Sequence, residues 1–115
     1  MADIKDIYIV RIYYEDKIEK AKNRPIIIIN KNVTDKETSY TISEITSAKP
    51  KDPPGHFDKF KKPIVKWKEA GLDKMSFVKV NKLYKIPSNK LYKKIGVMTD
   101  EDFDKVINRI VKQHF

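Results

Sequence analysis

Four consecutive isoleucines, Ile26-Ile27-Ile28-Ile29, follow Arg24-Pro25. An uninterrupted β-branched run reads as a strand buried on both faces. Pro25 fixes its own φ and pushes Arg24 toward an extended conformation, so the dipeptide marks the first residues of that strand. Arg24 is thereby anchored beside the most rigid part of the core, with its charged head outward. A guanidinium fixed at the rim of a barrel is suited to hold a phosphate. An arginine in such a place also makes ordinary surface ion pairs, and these residues alone favour that use.

The chain of 115 residues is read as one domain, 1–115, with a modest core. With 40% hydrophobic and 36% charged residues it is expected to be soluble and globular rather than disordered. No apolar run reaches membrane-spanning length, and Met1 to Asp6 does not read as a signal peptide, so a cytoplasmic location is expected. The sequence has no cysteine, which excludes disulfides and thiolate metal sites, and only His56 and His114 offer imidazole. No metal or cofactor is expected. The formal charge of +9 favours an anionic partner: nucleic acid, an acidic protein segment or a membrane surface.

Ile7 to Tyr13 reads as a first strand and Pro25 to Asn30 as a second. The polar stretch Tyr14 to Asn23 between them is too long for a tight hairpin and reads as a mobile loop. Tyr40 to Thr46 is a third strand, in which Ile45 breaks phase with Tyr40 and Ile42, the sign of a bulge or of the end of pairing. Ala48 to Pro63 carries four prolines and Gly55 and reads as a surface loop. Short strands are expected at Ile64–Trp67, Ser76–Val80, Lys82–Ile86 and Lys93–Val97, with Glu69–Leu72 turning the chain. Thr99 is a good N-cap for a terminal helix, with Asp102 three residues on and Met98 and Phe103 at staple positions. Phe103, Val106, Ile107, Ile110 and Val111 recur on one helical face. Short strands, no βαβ rhythm and one terminal helix predict a mostly β fold: a small, bent antiparallel barrel with a C-terminal helix.

Several groups converge on the second strand. Thr46 and Ser47 end the third strand with hydroxyls, and Lys79 and Asn81 share a face two residues apart. An arginine and a hydroxyl on neighbouring strand ends can grip one phosphate by charge and hydrogen bond. Taken singly, each is an ordinary strand, turn or surface residue.

Asp6-Ile7-Tyr8-Ile9-Val10, Arg24-Pro25 with its isoleucines, Ile45-Thr46-Ser47, Ser76 to Asn81, and Lys94 to Asp102 resemble, in order and spacing, the motifs of MazF/PemK toxins. Trp67-Lys68-Glu69-Ala70-Gly71-Leu72 is similar to a PemK-like subgroup. The resemblance implies an SH3-like barrel of the kind shared with CcdB. It implies a toxin of a type II toxin–antitoxin pair that dimerises and cleaves single-stranded RNA without metal. Arg24 and Thr46 match the catalytic pair. The Tyr14–Asn23 loop, with Tyr14 and Lys17, matches the segment that gates the RNA groove, and an antitoxin tail blocks that groove. The chain departs from the pattern at Lys5, where glycine is usual, and at Glu44, where a proline or small residue is common. Asn81 stands where some members carry an aspartate taken as the base, and an amide cannot accept that proton.

On this reading the RNA 2′-OH attacks the phosphorus, and Arg24 neutralises charge on the phosphoryl oxygens. Thr46 and Ser47 orient the phosphate and Lys79 is a second cation. Tyr13, Tyr14, Phe57, Phe60 and Trp67 are candidates to stack bases. No residue reads as a convincing general base; His56 falls in the proline-rich loop. Two other classes remain open: a non-catalytic SH3-like module for RNA or an acidic peptide, and a CcdB-like gyrase inhibitor. The CcdB family acts through a C-terminal Trp-Gly-Ile, whereas this sequence ends Lys112-Gln113-His114-Phe115.

Overall fold

The isoleucine run lies in the middle of the molecule. Ile26, Ile27 and Ile28 are each fully buried, as a strand covered on both faces requires. The computed structural model describes residues 2–14, 17–50, 55 and 58–114, with the backbone alone for residues 12–14 and 17–22. Among the described residues seven strands and one α-helix form in this order: β1 (Asp6–Tyr14), β2 (Lys17–Val33), β3 (Thr38–Thr46), β4 (Lys61–Pro63), β5 (Phe77–Lys79), β6 (Tyr84–Pro87), β7 (Leu91–Val97) and α1 (Asp100–His114). The sheet runs β4-β5-β3-β2-β1-β7, and β6 also pairs with β3. The expected mostly β fold with a C-terminal helix is what forms. Its sheet is open among the described residues, because β4 and β7 end the path without pairing to each other.

Alternation along β2 divides the core. Ile27 packs with Ile7, Ile45, Val78 and the helix residues Phe103, Val106 and Ile110. Ile26 and Ile28 face the other way, against Val10, Tyr40, Ile42 and Ala2. The helix stripe is narrower than its sequence period, since Val111 is exposed.

Three expectations change. Residues 17–23 are strand, not loop: the β1–β2 ladder continues through Arg11↔Asn23 and Ile12↔Lys22 to Tyr14↔Lys17. With no glycine or proline to interrupt it, that segment keeps every ladder donor, so β1 and β2 form one long hairpin. Pro25 is therefore inside β2, opposite Ile9. The β2–β3 register stops at Ile26↔Glu44, so Pro25 has a ladder partner strand on one edge only, where a proline is tolerated.

Ile64–Trp67 is not a strand. β4 ends at Pro63, and residues 65–71 form turns closed by Ala70 N–H to Lys66 O (3.1 Å) and Leu72 N–H to Trp67 O (3.0 Å). The amides that a ladder needs are taken by a side chain: Asp102 Oδ1 accepts Val65 N–H (3.1 Å) and Oδ2 accepts Lys66 N–H (2.8 Å). Asp102 is 2% exposed. It also lies 3.4 Å from the Thr99 hydroxyl, which accepts the Asp102 N–H of the expected N-cap. One carboxylate thus ties the helix start to the turn. The turn then docks on β7: Gly71 has φ +91, and a Cβ at Gly71 or Gly96 would overlap the Ile95 or Ala70 carbonyl.

Lys5, standing where the resembling family has glycine, has a left-handed φ of 79. Its amide donates to Ile28 O (3.0 Å) and its carbonyl accepts Met98 N–H (2.8 Å), which forces the chain through that conformation. Its ammonium meets Asp100 at 2.7 Å, and that hydrogen bond holds its pKa above the ordinary lysine value.

Asp102→Ala removes the acceptor of two part-buried N–H donors and is expected to cost about 1–3 kcal/mol in a denaturant titration. A loss under about 0.5 kcal/mol, the range of a plain surface change, would show that the carboxylate does not hold the turn.

Candidate active site

The face of the sheet that carries Ile26 and Ile28 also carries Arg24, because alternate residues share a face. On β3 the same face holds Tyr40, Ile42, Glu44 and Thr46, since Ile28 opposes Ile42 and Ile26 opposes Glu44. Arg24, which opposes Val10 on β1, is the diagonal neighbour of Glu44. Continuing the register two residues past Ile26↔Glu44 sets Arg24 opposite Thr46. There the β2–β3 ladder has ended, and on its other edge β3 has changed partner.

That change of partner makes the site. The first half of β3 pairs with β6, from Ser39↔Pro87 to Ile42↔Tyr84. Its end pairs with β5, through Ile45↔Val78 and Thr46↔Phe77. β5 and β6 therefore run one after the other along the same edge of β3, and residues 80–83 bulge between them. Ser43 sits at the joint and is fully buried. Its hydroxyl lies 2.7 Å from Lys79 O and 3.0 Å from Lys82 O, so its one proton serves both carbonyls at the two ends of the bulge. Lys82 N–H closes the bulge onto Lys79 O at 3.3 Å.

The bulge and the end of β3 enclose a cleft of about 240 Å³ lined by Thr46, Ala48, Lys61, Lys79, Asn81 and Lys82. Lys61 opposes Lys79 across β4 and β5, so both side chains lie on this face. Lys79 Nζ is 3.4 Å from Glu44 Oε2, and Lys61 Nζ is 3.0 Å from Asp58 Oδ1. The Thr46 oxygen accepts Ala48 N–H at 3.1 Å, which leaves the hydroxyl proton to be donated into the cleft. Behind Asn81, the ring of His114 meets Val80 O at 2.9 Å; a carbonyl only accepts, so Nε2 carries the proton.

Of the residues singled out from sequence, Thr46, Lys79 and Asn81 meet in the cleft. Asn81 is not on the strand with Lys79: β5 ends at Lys79, and Asn81 reaches the cleft from the turn. Arg24 is half-buried on the neighbouring strand, on the same face but outside the cleft lining, and Ser47 is exposed beyond the end of β3. The side chains of Tyr13, Tyr14 and Lys17, and residues His56 and Phe57, lie outside the described residues. Lys61, Lys82 and Ser43 were not legible as site residues. The expected phase break in β3 does not form: Ile42 and Ile45 alternate regularly onto two buried faces, and the register shift lies on β2 between Ile28 and Asn30.

A model of the PemK-like, MazF-like toxins of type II toxin–antitoxin systems matches residues 4–114. The chain belongs to this toxin family. Solved structures have the same fold as this PemK-like chain. A Mycobacterium tuberculosis toxin, MazF-mt6, is 21% identical over 94% of this chain and 94% of that one, with a TM-score of 0.66. An endoribonuclease in complex with its cognate antitoxin, from a Mycobacterial species, gives 0.72 at 12% identity over 98% and 94% of the two chains. No curated protein matches the toxin's sequence significantly.

Ser43→Ala leaves the Lys79 and Lys82 carbonyls without their shared donor. A loss of about 1–2 kcal/mol is expected, with faster amide exchange confined to the turn after β5. Unchanged exchange there would mean that the bulge holds itself.

Proposed function

We propose that this PemK-like toxin is an endoribonuclease that cuts single-stranded RNA without a metal ion. The observation that carries the proposal is the row of groups on one sheet face: Arg24 on β2, Thr46 on β3, Lys79 on β5 and Lys61 on β4. Family membership supports the same reading, as does a structural neighbour described as an endoribonuclease.

RNA brings its own nucleophile, so the protein need not activate a water molecule. It has to hold the 2′-oxygen in line with phosphorus and stabilise the charge that builds on the non-bridging oxygens. Arg24 suits that charge with a fixed fork of donors. The Thr46 hydroxyl donates to the same phosphate. Lys79, Lys61 and Lys82 offer a track for adjoining phosphates, worth most at low salt. The 2′-oxygen displaces the 5′-oxygen, leaving a 2′,3′-cyclic phosphate and a 5′-OH. Ser47 and Asn81 border this path. An acidic antitoxin segment, disordered until it binds, covers the cationic face and shuts it. The toxin acts in the cytoplasm as a two-fold dimer.

Incubating the protein with a long RNA in EDTA and mapping the ends tests the activity; uncut RNA would favour a non-catalytic module. Arg24→Ala is expected to lower the rate by roughly 100- to 1000-fold, ~3–4 kcal/mol, while the melting temperature holds. Thr46→Val should lose less, one neutral hydrogen bond. Lys79→Ala should weaken RNA binding and flatten its salt dependence, and Asn81→Ala should change least. Wild-type cleavage by Arg24→Ala would overturn the assignment. Sedimentation as a monomer at micromolar concentration would overturn the dimer.

A further inference from the structure

A carboxylate occupies the middle of the cationic row. Glu44 is two residues from Thr46 on the same strand face, about 7 Å along β3, diagonal to Arg24 and paired with Lys79. A negative charge there opposes RNA phosphates, and the resembling family commonly has a proline or small residue at that place. We infer that Glu44 is the general base of this toxin, taking the proton of the attacking 2′-OH. The inference rests on the nuclease reading above.

The neighbouring groups fail as bases one by one. Arg24, Lys61, Lys79 and Lys82 are cations, and Asn81 is an amide. Among the described residues Asp58 is the other carboxylate near the cleft, but Oδ1 meets Lys61 at 3.0 Å and Oδ2 accepts Gly55 N–H at 2.6 Å. His114 gives Nε2–H to Val80 O from the far end of the helix. In Glu44, only Oε2 meets Lys79, at 3.4 Å, longer than a tight charge-assisted bond. Oε1 has no hydrogen bond among the described residues, and the side chain is 18% exposed. A lone pair is therefore available on the face where Arg24 and Thr46 would hold the phosphate.

The step balances. Glu44 Oε1 takes the 2′-hydroxyl proton as the 2′-oxygen bonds to phosphorus. The bond from phosphorus to the 5′-oxygen breaks, and that oxygen takes a proton from water. The protonated Glu44 returns its proton to the hydroxide so formed. Lys79 keeps the carboxylate aimed and offsets its charge against the phosphate. Among the described residues, the groups on the face of Glu44 are Arg24 from β2, Lys79 from β5, Lys61 with Asp58 from the β4 side, Lys82 from the bulge, and Tyr8 further along its row on β1.

Glu44→Gln keeps the shape and a partner for Lys79. Cleavage of a mapped RNA oligonucleotide is expected to drop by about 100-fold or more. Binding of the same oligonucleotide with 2′-deoxy sugars should stay equal or tighten. Glu44→Asp, which keeps a carboxylate, should restore part of the rate. If Glu44→Gln cuts at the wild-type rate or faster, Glu44 is a brake on RNA binding and the inference falls while the nuclease stands. If the wild-type protein cuts no RNA, both fall.

Discussion

A single hydroxyl, that of Ser43, spans the place where β3 exchanges β6 for β5. An edge that changes partner leaves a short stretch of neighbouring chain without ladder bonds, and buried backbone groups must find other partners. Here Ser43 serves two carbonyls while the bulge projects Asn81 and Lys82 over the end of β3. The cleft is the volume left by that exchange. On the opposite edge of β3 the ladder with β2 stops at Ile26↔Glu44, and among the described residues Arg24 and Pro25 lie on a part of β2 paired with β1 alone. The most rigid strand of the core thus presents its arginine beside a gap rather than inside a continuous sheet.

Charge on this protein works through register rather than quantity. The net charge of +9 is spread along the chain, and most of the described lysines are exposed. Three pairings, Ile26↔Glu44, Thr46↔Phe77 and Lys61↔Lys79, bring a few of them into one line with one carboxylate among them. A slip of one residue in any of these ladders would send that strand's charges to the opposite face. The buried isoleucines that fix the β2 register therefore also fix which cations meet.

Local chemistry was legible in the sequence and long-range chemistry was not. The isoleucine run gave its own strand and double-sided burial, and Thr99 with Met98 and Phe103 gave the helix start. Residues 64–67 were misread as strand, although the turn at Glu69–Leu72 was foreseen, because the group that takes the Val65 and Lys66 amides, Asp102, lies far along the chain. Pro25 was misread as a strand start because the rule against proline assumes partners on both edges. The proposed pair Arg24 and Thr46 was found by motif order. Lys61 and Lys82 were hidden because no local pattern distinguishes a lysine over a cleft from one over water.

The backbone contact between Gly71 and Gly96 bears on how such chains diverge. Two segments approach there main chain to main chain, with each glycine facing a carbonyl of the other segment. Neither position tolerates a side chain, and no compensating change at a neighbour makes room, because the obstacle is the peptide itself. Lineages that keep this docking are free to rewrite the charges around it but not these two letters. A glycine in the turn matched by a glycine just before the Val-Met-Thr helix entry is then a mark by which distant sequences can be aligned when little else agrees.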